Sequence, residues 1–457
     1  MKTPNLLRRC FTLALLSILI LGLPASAQPP DTLWLSLDEP AYRLLQKISP
    51  TRWPLATGEV AAIEESDVAA RYDKVHVVHV SAFERDQLAQ AVHVALNRCA
   101  GFVAHDSLAD ALSVLTPATG GFTPTRPDYV IAHAARVTPM LATVSDARIG
   151  TDIQTLAAFH NRYYYASSGT QSADWLAQYW ETIAAGRSDM QVTKVYRGSD
   201  AMPNVVLTVQ GSDLSQQILV LGAHLDSINS YGSGSTSSRR APGADDDASG
   251  VASLTEVLRA VVEHDLRPRR SIQFMAYSGE ELGLYGSDYI ATDYRTREVD
   301  VVGMLQLDMT NYKGSVEDIF IIDDYTDAQQ NGFLVQLAQH YLPQLTVAHT
   351  ACGYGCSDHR SWNRQGYAAS FPFEARMNED NPYIHTINDT WETVGSQALH
   401  AQKFARLALA WLVELAGDGG LWEGFGDGFE DSETDRQRRP RRADLRVAEG
   451  RPAGGGS

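Results

Sequence analysis

Residues 218–227 read Ile-Leu-Val-Leu-Gly-Ala-His-Leu-Asp-Ser, and the change of character inside them decides the architecture. Ile218 to Leu221 is a short apolar run that breaks into a turn carrying His224 and Asp226. Such a run, bounded by turn residues, predicts a buried strand with polar groups at its end. Downstream, Ala248 to Val262 places Val251, Leu254, Leu258 and Val261 on one helical face. Ile272, Phe274 and Ala276 then alternate as in a second strand, and Val301 to Leu307 predicts a third. Strands alternating with helices predict an α/β fold, a mixed central β-sheet flanked by helices on both faces.

Upstream the character differs. Lys2, Arg8 and Arg9 precede an apolar run from Phe11 to Leu23, and Ala25-Ser26-Ala27 offers a small-residue cleavage site before Gln28. The run is shorter than the ~20 residues a membrane span needs. Residues 1–27 are therefore expected to be a signal peptide, and the mature chain to be soluble and secreted through the periplasm, with no membrane association. Residues 28–136 predict a small α+β unit: Lys74 to Val80 as a strand, Ala82 to Arg98 as a helix, room for a second such pair, then a Thr/Pro/Gly-rich linker from Ser113 to Arg126. This unit contains no clustered acids and histidines, and its place between the signal and the α/β region leads us to expect a propeptide. The α/β region runs over 137–417. Beyond it, residues 418–457 are rich in Gly and charge, with a basic cluster from Arg436 to Arg442, and are expected to form a flexible tail.

Bulk properties narrow the function. The 457 residues are too many for one small core, and 44% hydrophobic with 20% charged is globular composition. A net charge of −17 argues against nucleic acid as a partner. The mature chain is expected to be a monomer. In an exported chain the pair Cys352 and Cys356, in Cys-Gly-Tyr-Gly-Cys, predicts a local disulfide. No second Cys or His pair flanks it as a zinc knuckle requires. Cys10 falls in the signal and Cys99 in the propeptide.

Five segments carry acids and histidines at element ends: His224-Leu-Asp226, Asp245-Asp246-Asp247 before the helix, Glu280-Glu281 after the second strand, Asp308 closing the third, and His385 with Asp389. Ligands gather at the carboxyl edge of such sheets, so acids distant in sequence converge there. An HxD pair, an acidic helix start or a Glu-Glu pair alone is ordinary surface chemistry. All five together are not.

These segments resemble peptidase family M28, and within it the secreted bacterial leucyl aminopeptidases with two co-catalytic zinc ions. The resemblance runs from about residue 145 to 415, through HLDS (224–227), APGADDDASG (241–250), Glu280-Glu281, LQLDMTNYKGS (305–315), CGYGCSDH (352–359) and IHT (384–386). It implies the zinc exopeptidase fold and hydrolysis of the N-terminal peptide bond, releasing single residues. It further implies two zinc ions per chain, one held by His224 and Asp308, the other by Glu281 and His385, with Asp246 bridging. Glu280 would be the general base and Tyr354 an oxyanion donor. Chemistry agrees: zinc takes His nitrogen and carboxylate oxygen, and a two-oxygen carboxylate can span two ions ~3.5–4 Å apart. Adjacent side chains diverge, so one of Glu280 and Glu281 binding while the other acts as base is economical.

Asp226 is expected to orient the His224 ring, with Asp389 a weaker supporting candidate; His349 and His359 read as surface or structural. The resemblance also implies a first pocket of Met309, Ile322, Cys352, Cys356, Phe371, Phe373, Met377 and Ile384, suited to large apolar side chains. Asp380 departs from it, standing where an aromatic occurs in a relative, and admits polar or basic side chains. A glutaminyl cyclase-like enzyme of the same fold, with one zinc, is the alternative; retention of all five ligand positions favours two metals. A carboxypeptidase would need an Arg clamp that is not evident, and calcium sites rarely recruit two histidines.

Overall fold

The structure is a computed structural model describing residues 32–63, 71–96, 98, 101–116 and 121–419. The expected signal peptide, Cys99 and the expected tail beyond Gly419 lie outside the described residues.

The first strands and helices are β1 (Thr32–Asp38), α1 (Glu39–Ile48), β2 (Ala56–Ile63), β3 (Arg71–Ser81), α2 (Ala82–Leu96), β4 (Phe102–His105) and α3 (Leu108–Ser113). They form an antiparallel sheet in the order β2-β3-β1-β4. The expected strand and helix are β3 and α2, although α2 stops at Leu96 rather than Arg98. Asp38 caps α1 by accepting from Ala41 N–H at 2.8 Å, with Pro40 in the first turn. Leu33, Leu35 and Leu37 of β1 point inward, and this sheet's core is continuous with that of the rest of the fold.

After an irregular stretch come α4 (Ala134–Leu141), α5 (Asp146–Ala158), α6 (Ser167–Ile183), β5 (Met190–Val195), β6 (Asn204–Val209), β7 (Leu214–His224), α7 (Ala248–Glu263), β8 (Arg270–Tyr277), α8 (Tyr285–Thr296) and β9 (Asp300–Gln306). They are followed by β10 (Ile319–Ile322), α9 (Ala328–Tyr341), β11 (Val347–Thr350), α10 (His359–Arg364), β12 (Ala369–Ser370), β13 (Pro372–Phe373) and α11 (Leu399–Ala416). The central sheet has the order β12-β9-β7-β8-β6-β5. β7 runs parallel to both β8 and β9, while β5 and β6 are antiparallel, so the sheet is mixed as expected.

Helices cover both faces. Leu219 and Leu221 of β7, with Ile272, Phe274 and Ala276 of β8, pack on the side of α7 and α11. Val220, Met275 and Tyr277 point the other way, against Ile290 of α8 and Trp362 of α10. Because both faces are covered, the strands are apolar throughout their carboxyl halves rather than alternating. The same enclosure explains α7: its expected apolar face is buried, but so is nearly all the rest, and Glu256 is satisfied inside by Arg148 and Arg259.

Candidate metal centre

The three central parallel strands deliver their polar ends to one place. β7 ends at His224, β8 leads into a tight turn carrying Glu280 and Glu281, and β9 is followed by Asp308. The start of α7 supplies Asp246, and His385 arrives from the long loop before α11. All six side chains are buried.

Their ligand atoms fall into two groups sharing one member. His224, Asp246 and Asp308 offer atoms within 4.8 Å of one another, as do Asp246, Glu281 and His385. His224 Nε2 is 3.0 Å from Asp246 Oδ1 and 3.5 Å from Asp308 Oδ1. His385 Nε2 is 3.0 Å from Asp246 Oδ2 and 2.8 Å from Glu281 Oε2. The two oxygens of Asp246 therefore face opposite groups.

This arrangement is left unsatisfied by the protein. Both ring nitrogens of His224, both oxygens of Asp246 and Oε1 of Glu281 are buried and make no hydrogen bond. Orphaned polar atoms cost about 1–3 kcal/mol each, which a cation bound among them would remove. Electrostatics agree. Burial pushes Glu280 well above the usual carboxylate range and lifts Glu281 to about 7, with Asp246 adding to the latter. Burial opposes a charged His224, yet Asp308, Asp226 and Asp246 hold its ring well above its ordinary value. The site is an excess of carboxylates awaiting positive charge. Imidazole nitrogen and carboxylate oxygen in groups of three are a zinc-type donor set, so the residues fit that metal.

Neighbouring groups fix the donors. Asp226 Oδ1 lies 3.6 Å from His224 Nδ1, beyond hydrogen-bond reach, but its two oxygens accept from the main-chain N–H groups of Glu280 at 3.0 Å and Glu281 at 3.3 Å. It ties the strand end of β7 to the Glu-Glu turn, a contact that sequence reading does not reveal. That turn needs Gly279 at φ +74, where an added Cβ would sit 3.0 Å from Tyr164 and Tyr285. Asp247 caps α7 through Gly250 N–H at 2.8 Å and also accepts from His224 N–H and Met309 N–H. Gly250 is required there, because a Cβ would stand 2.3 Å from Leu307 O. Asp389 accepts from the amides of Asp245 and Asp246, at 3.1 Å each, and from Asn381. Ser357 donates to Asp308 Oδ2 at 2.6 Å.

Arg162 was not singled out by any motif, yet it is wholly buried and donates to the carbonyls of Leu225, Pro242 and Gly243. It clamps together the two loops that hold Asp226 and Asp246. His349 pairs with Asp323 at the surface, and His359 is buried with its Nε2 on Asp324 O; neither approaches the donor groups by any recorded contact.

The expected pocket residues also come together. Met309, Ile322, Phe371, Phe373 and Ile384 pack with Tyr354 and Cys356 as one apolar cluster, with Cys352 and Met377 against it. A small cavity beside Asp308 is lined by most of these and by Asp380. Cys352 and Cys356 are joined as a disulfide. Peptide mapping without reductant is expected to return the two cysteines as one linked fragment; two free thiols would contradict this pairing.

Comparison with known proteins is decisive here. The peptidase family M28 model matches residues 204–411. A probable leucine aminopeptidase 1 of Trichophyton verrucosum is 37% identical over 300 residues, spanning 63% of this chain and 78% of its own. The chain belongs to peptidase family M28. Leucine aminopeptidase 1 of Arthroderma otae is 36% identical with the same coverage. Among solved structures, the LapA aminopeptidase of Legionella pneumophila superposes with a TM-score of 0.71 at 28% identity, over 85% of this chain and 99% of its own. LapB of the same organism gives 0.66 at 26% identity. The LapA match is too long to be confined to residues from Val137 onward, so it reaches into the N-terminal unit.

Proposed function

We propose that this chain is a secreted dizinc aminopeptidase that removes single, preferentially large apolar residues from peptide N-termini, and that residues 28–136 are a propeptide covering its site. The chain is a zinc aminopeptidase of family M28. The observation that carries the finer reading is the sharing of Asp246 between two buried donor groups. His224 and Asp308 would hold one zinc ion, Glu281 and His385 the other, with Asp246 between them.

When bound, the zinc ions polarise the scissile carbonyl and acidify water toward a pKa of ~7. The protein's own groups do the rest. Glu280, beside Glu281 but outside both donor groups, takes the proton of the attacking water and returns it to the leaving amine. Asp226 positions Glu280 by gripping its amide. Tyr354 lines the same cavity as Asp308, where its hydroxyl can donate to the developing oxyanion. Phe371, Phe373 and Met377 receive the first side chain.

Two measurements test this reading. Metal analysis of the processed protein should return two zinc ions per chain, and leucyl-p-nitroanilide should be turned over while an N-acetylated peptide is not. One zinc with cyclisation of N-terminal glutamine would favour the cyclase-like alternative. Asp246→Ala should lower metal content to less than one ion per chain, because both groups lose their shared donor; full metal occupancy in that variant would remove the bridging assignment.

A further inference from the structure

The first pocket is not wholly apolar. Its walls near Asp308 are Met309, Phe371, Phe373, Met377 and Ile384, yet Asp380 stands among them, 8% exposed. Its Oδ1 accepts from Asn378 N–H at 2.8 Å, and among the described residues it pairs with no cation. An ionised carboxyl enclosed by apolar side chains is costly unless a positive partner is supplied. The polar turn it closes would be served equally by a neutral acceptor, so that hydrogen bond does not account for a charge at this position.

A second observation concerns what already sits there. Arg98, from the N-terminal unit, lines the same cavity, whose volume is about 20 Å³. Its guanidinium lies 4.0 Å from the centre of the Tyr354 ring, and its Nε is buried without a hydrogen bond. Asp38 of its own unit, at 2.5 Å, holds the other end of the guanidinium. The pocket mouth thus accommodates a cationic side chain against an aromatic face, an arrangement in which cation–π attraction adds to charge pairing.

We propose that Asp380 makes this pocket a site for lysine and arginine as the N-terminal residue of the substrate, alongside large apolar residues; this rests on the aminopeptidase reading above. Lysine and arginine have long apolar stems with charge only at the tip. The stem would lie along Met309, Phe371 and Met377 as a leucine or methionine side chain does, and the tip would meet Asp380. Arg98, whose charge is met by Asp38 rather than Asp380, borders that subsite from the covering segment.

The test compares lysyl-, norleucyl- and leucyl-p-nitroanilide on enzyme purified from full-length expression and left to its natural processing. Norleucine has the lysine stem without the ammonium group. Asp380→Asn keeps the acceptor for Asn378 N–H while removing the charge. The ratio of kcat/KM for lysine over norleucine is expected to fall about tenfold or more in this variant, the scale set by losing one partner of a buried charge pair. An unchanged ratio would overturn the inference, as would parent enzyme that turns over leucine but not lysine. Turnover of none of the three substrates would instead defeat the aminopeptidase reading itself, and this inference with it.

Discussion

Glu280→Gln is expected to lower kcat by about 10²–10⁴-fold while retaining the full zinc content of the parent, the range typical of losing a positioned general base. The substitution is nearly isosteric, and the main-chain hydrogen bonds of Glu280, its N–H donating to Asp226 and its carbonyl accepting from Gly283 and Leu284 N–H, do not involve the side chain. Glu280 belongs to neither donor group, so an amide there removes a proton acceptor without removing a ligand. Glu281→Gln makes the contrast, because Glu281 stands 2.8 Å from His385 Nε2 and should cost metal as well as rate. The pH profile supplies a second readout. Burial pushes the Glu280 carboxyl upward, with Asp358, Glu281 and Asp308 adding to it, and bound cations would draw it back down. Activity should fall as pH drops through its pKa, since the protonated acid cannot accept a proton, and that acid limb should vanish in the glutamine variant. Loss of zinc from Glu280→Gln, or near-parental kcat, would show that the base is elsewhere.

The legible part of this site was the part written at strand ends. His224, Glu280-Glu281 and Asp308 each follow an apolar run directly, and parallel strands must bring such ends to one edge. Asp246 was singled out only through the resemblance, since three acids opening a helix read equally as a cap; here the cap is Asp247 and the shared donor Asp246. What escaped depends on contacts without local signature. Arg162 sits in an unremarkable stretch, Asn161-Arg-Tyr-Tyr, and its role arises only because the loops of Asp226 and Pro242 close around it. The partners of Asp226 could not be read either, since amides 54 and 55 positions away are brought to it by the pairing of β7 with β8. β1 and α1 were missed although both carry a signal, Leu33, Leu35 and Leu37 alternating along β1 and Asp38 capping α1 with Pro40 in its first turn. The expected boundary at residue 136 falls inside α4, whose apolar face packs with α11 and so belongs with the fold that follows. A cut between the units fits better in the irregular stretch before Ala134.

Cutting within that stretch is expected to raise kcat/KM by about 100-fold, because the N-terminal unit stands where a peptide must enter. His93 of α2 places its ring 4.7 Å from that of His385, and Arg98 lies over Tyr354 in the first pocket. The unit is held there by further anchors. Arg85 donates to Tyr285 Oη at 2.8 Å, Ala104 N–H donates to Gly283 O at 3.1 Å, and Tyr325 Oη donates to Asp73 at 2.8 Å. Arg71 also pairs with the buried Asp324, and Arg197 with Asp106. Anchors of this kind need favour the closed arrangement by only about 3 kcal/mol for one chain in a hundred to be open at a given moment. The docking is reversible in principle, so activity before cleavage would report that open fraction. Limited proteolysis of the chain from Gln28, followed by gel and by turnover of leucyl-p-nitroanilide, measures both quantities together. Arg98→Ala and His93→Ala should raise activity in the uncut chain while leaving the final, cut activity where it was, since both residues depart with the segment. An uncut chain as active as the cut one, with the segment stably retained in secreted protein, would make the N-terminal unit a permanent domain rather than an inhibitor.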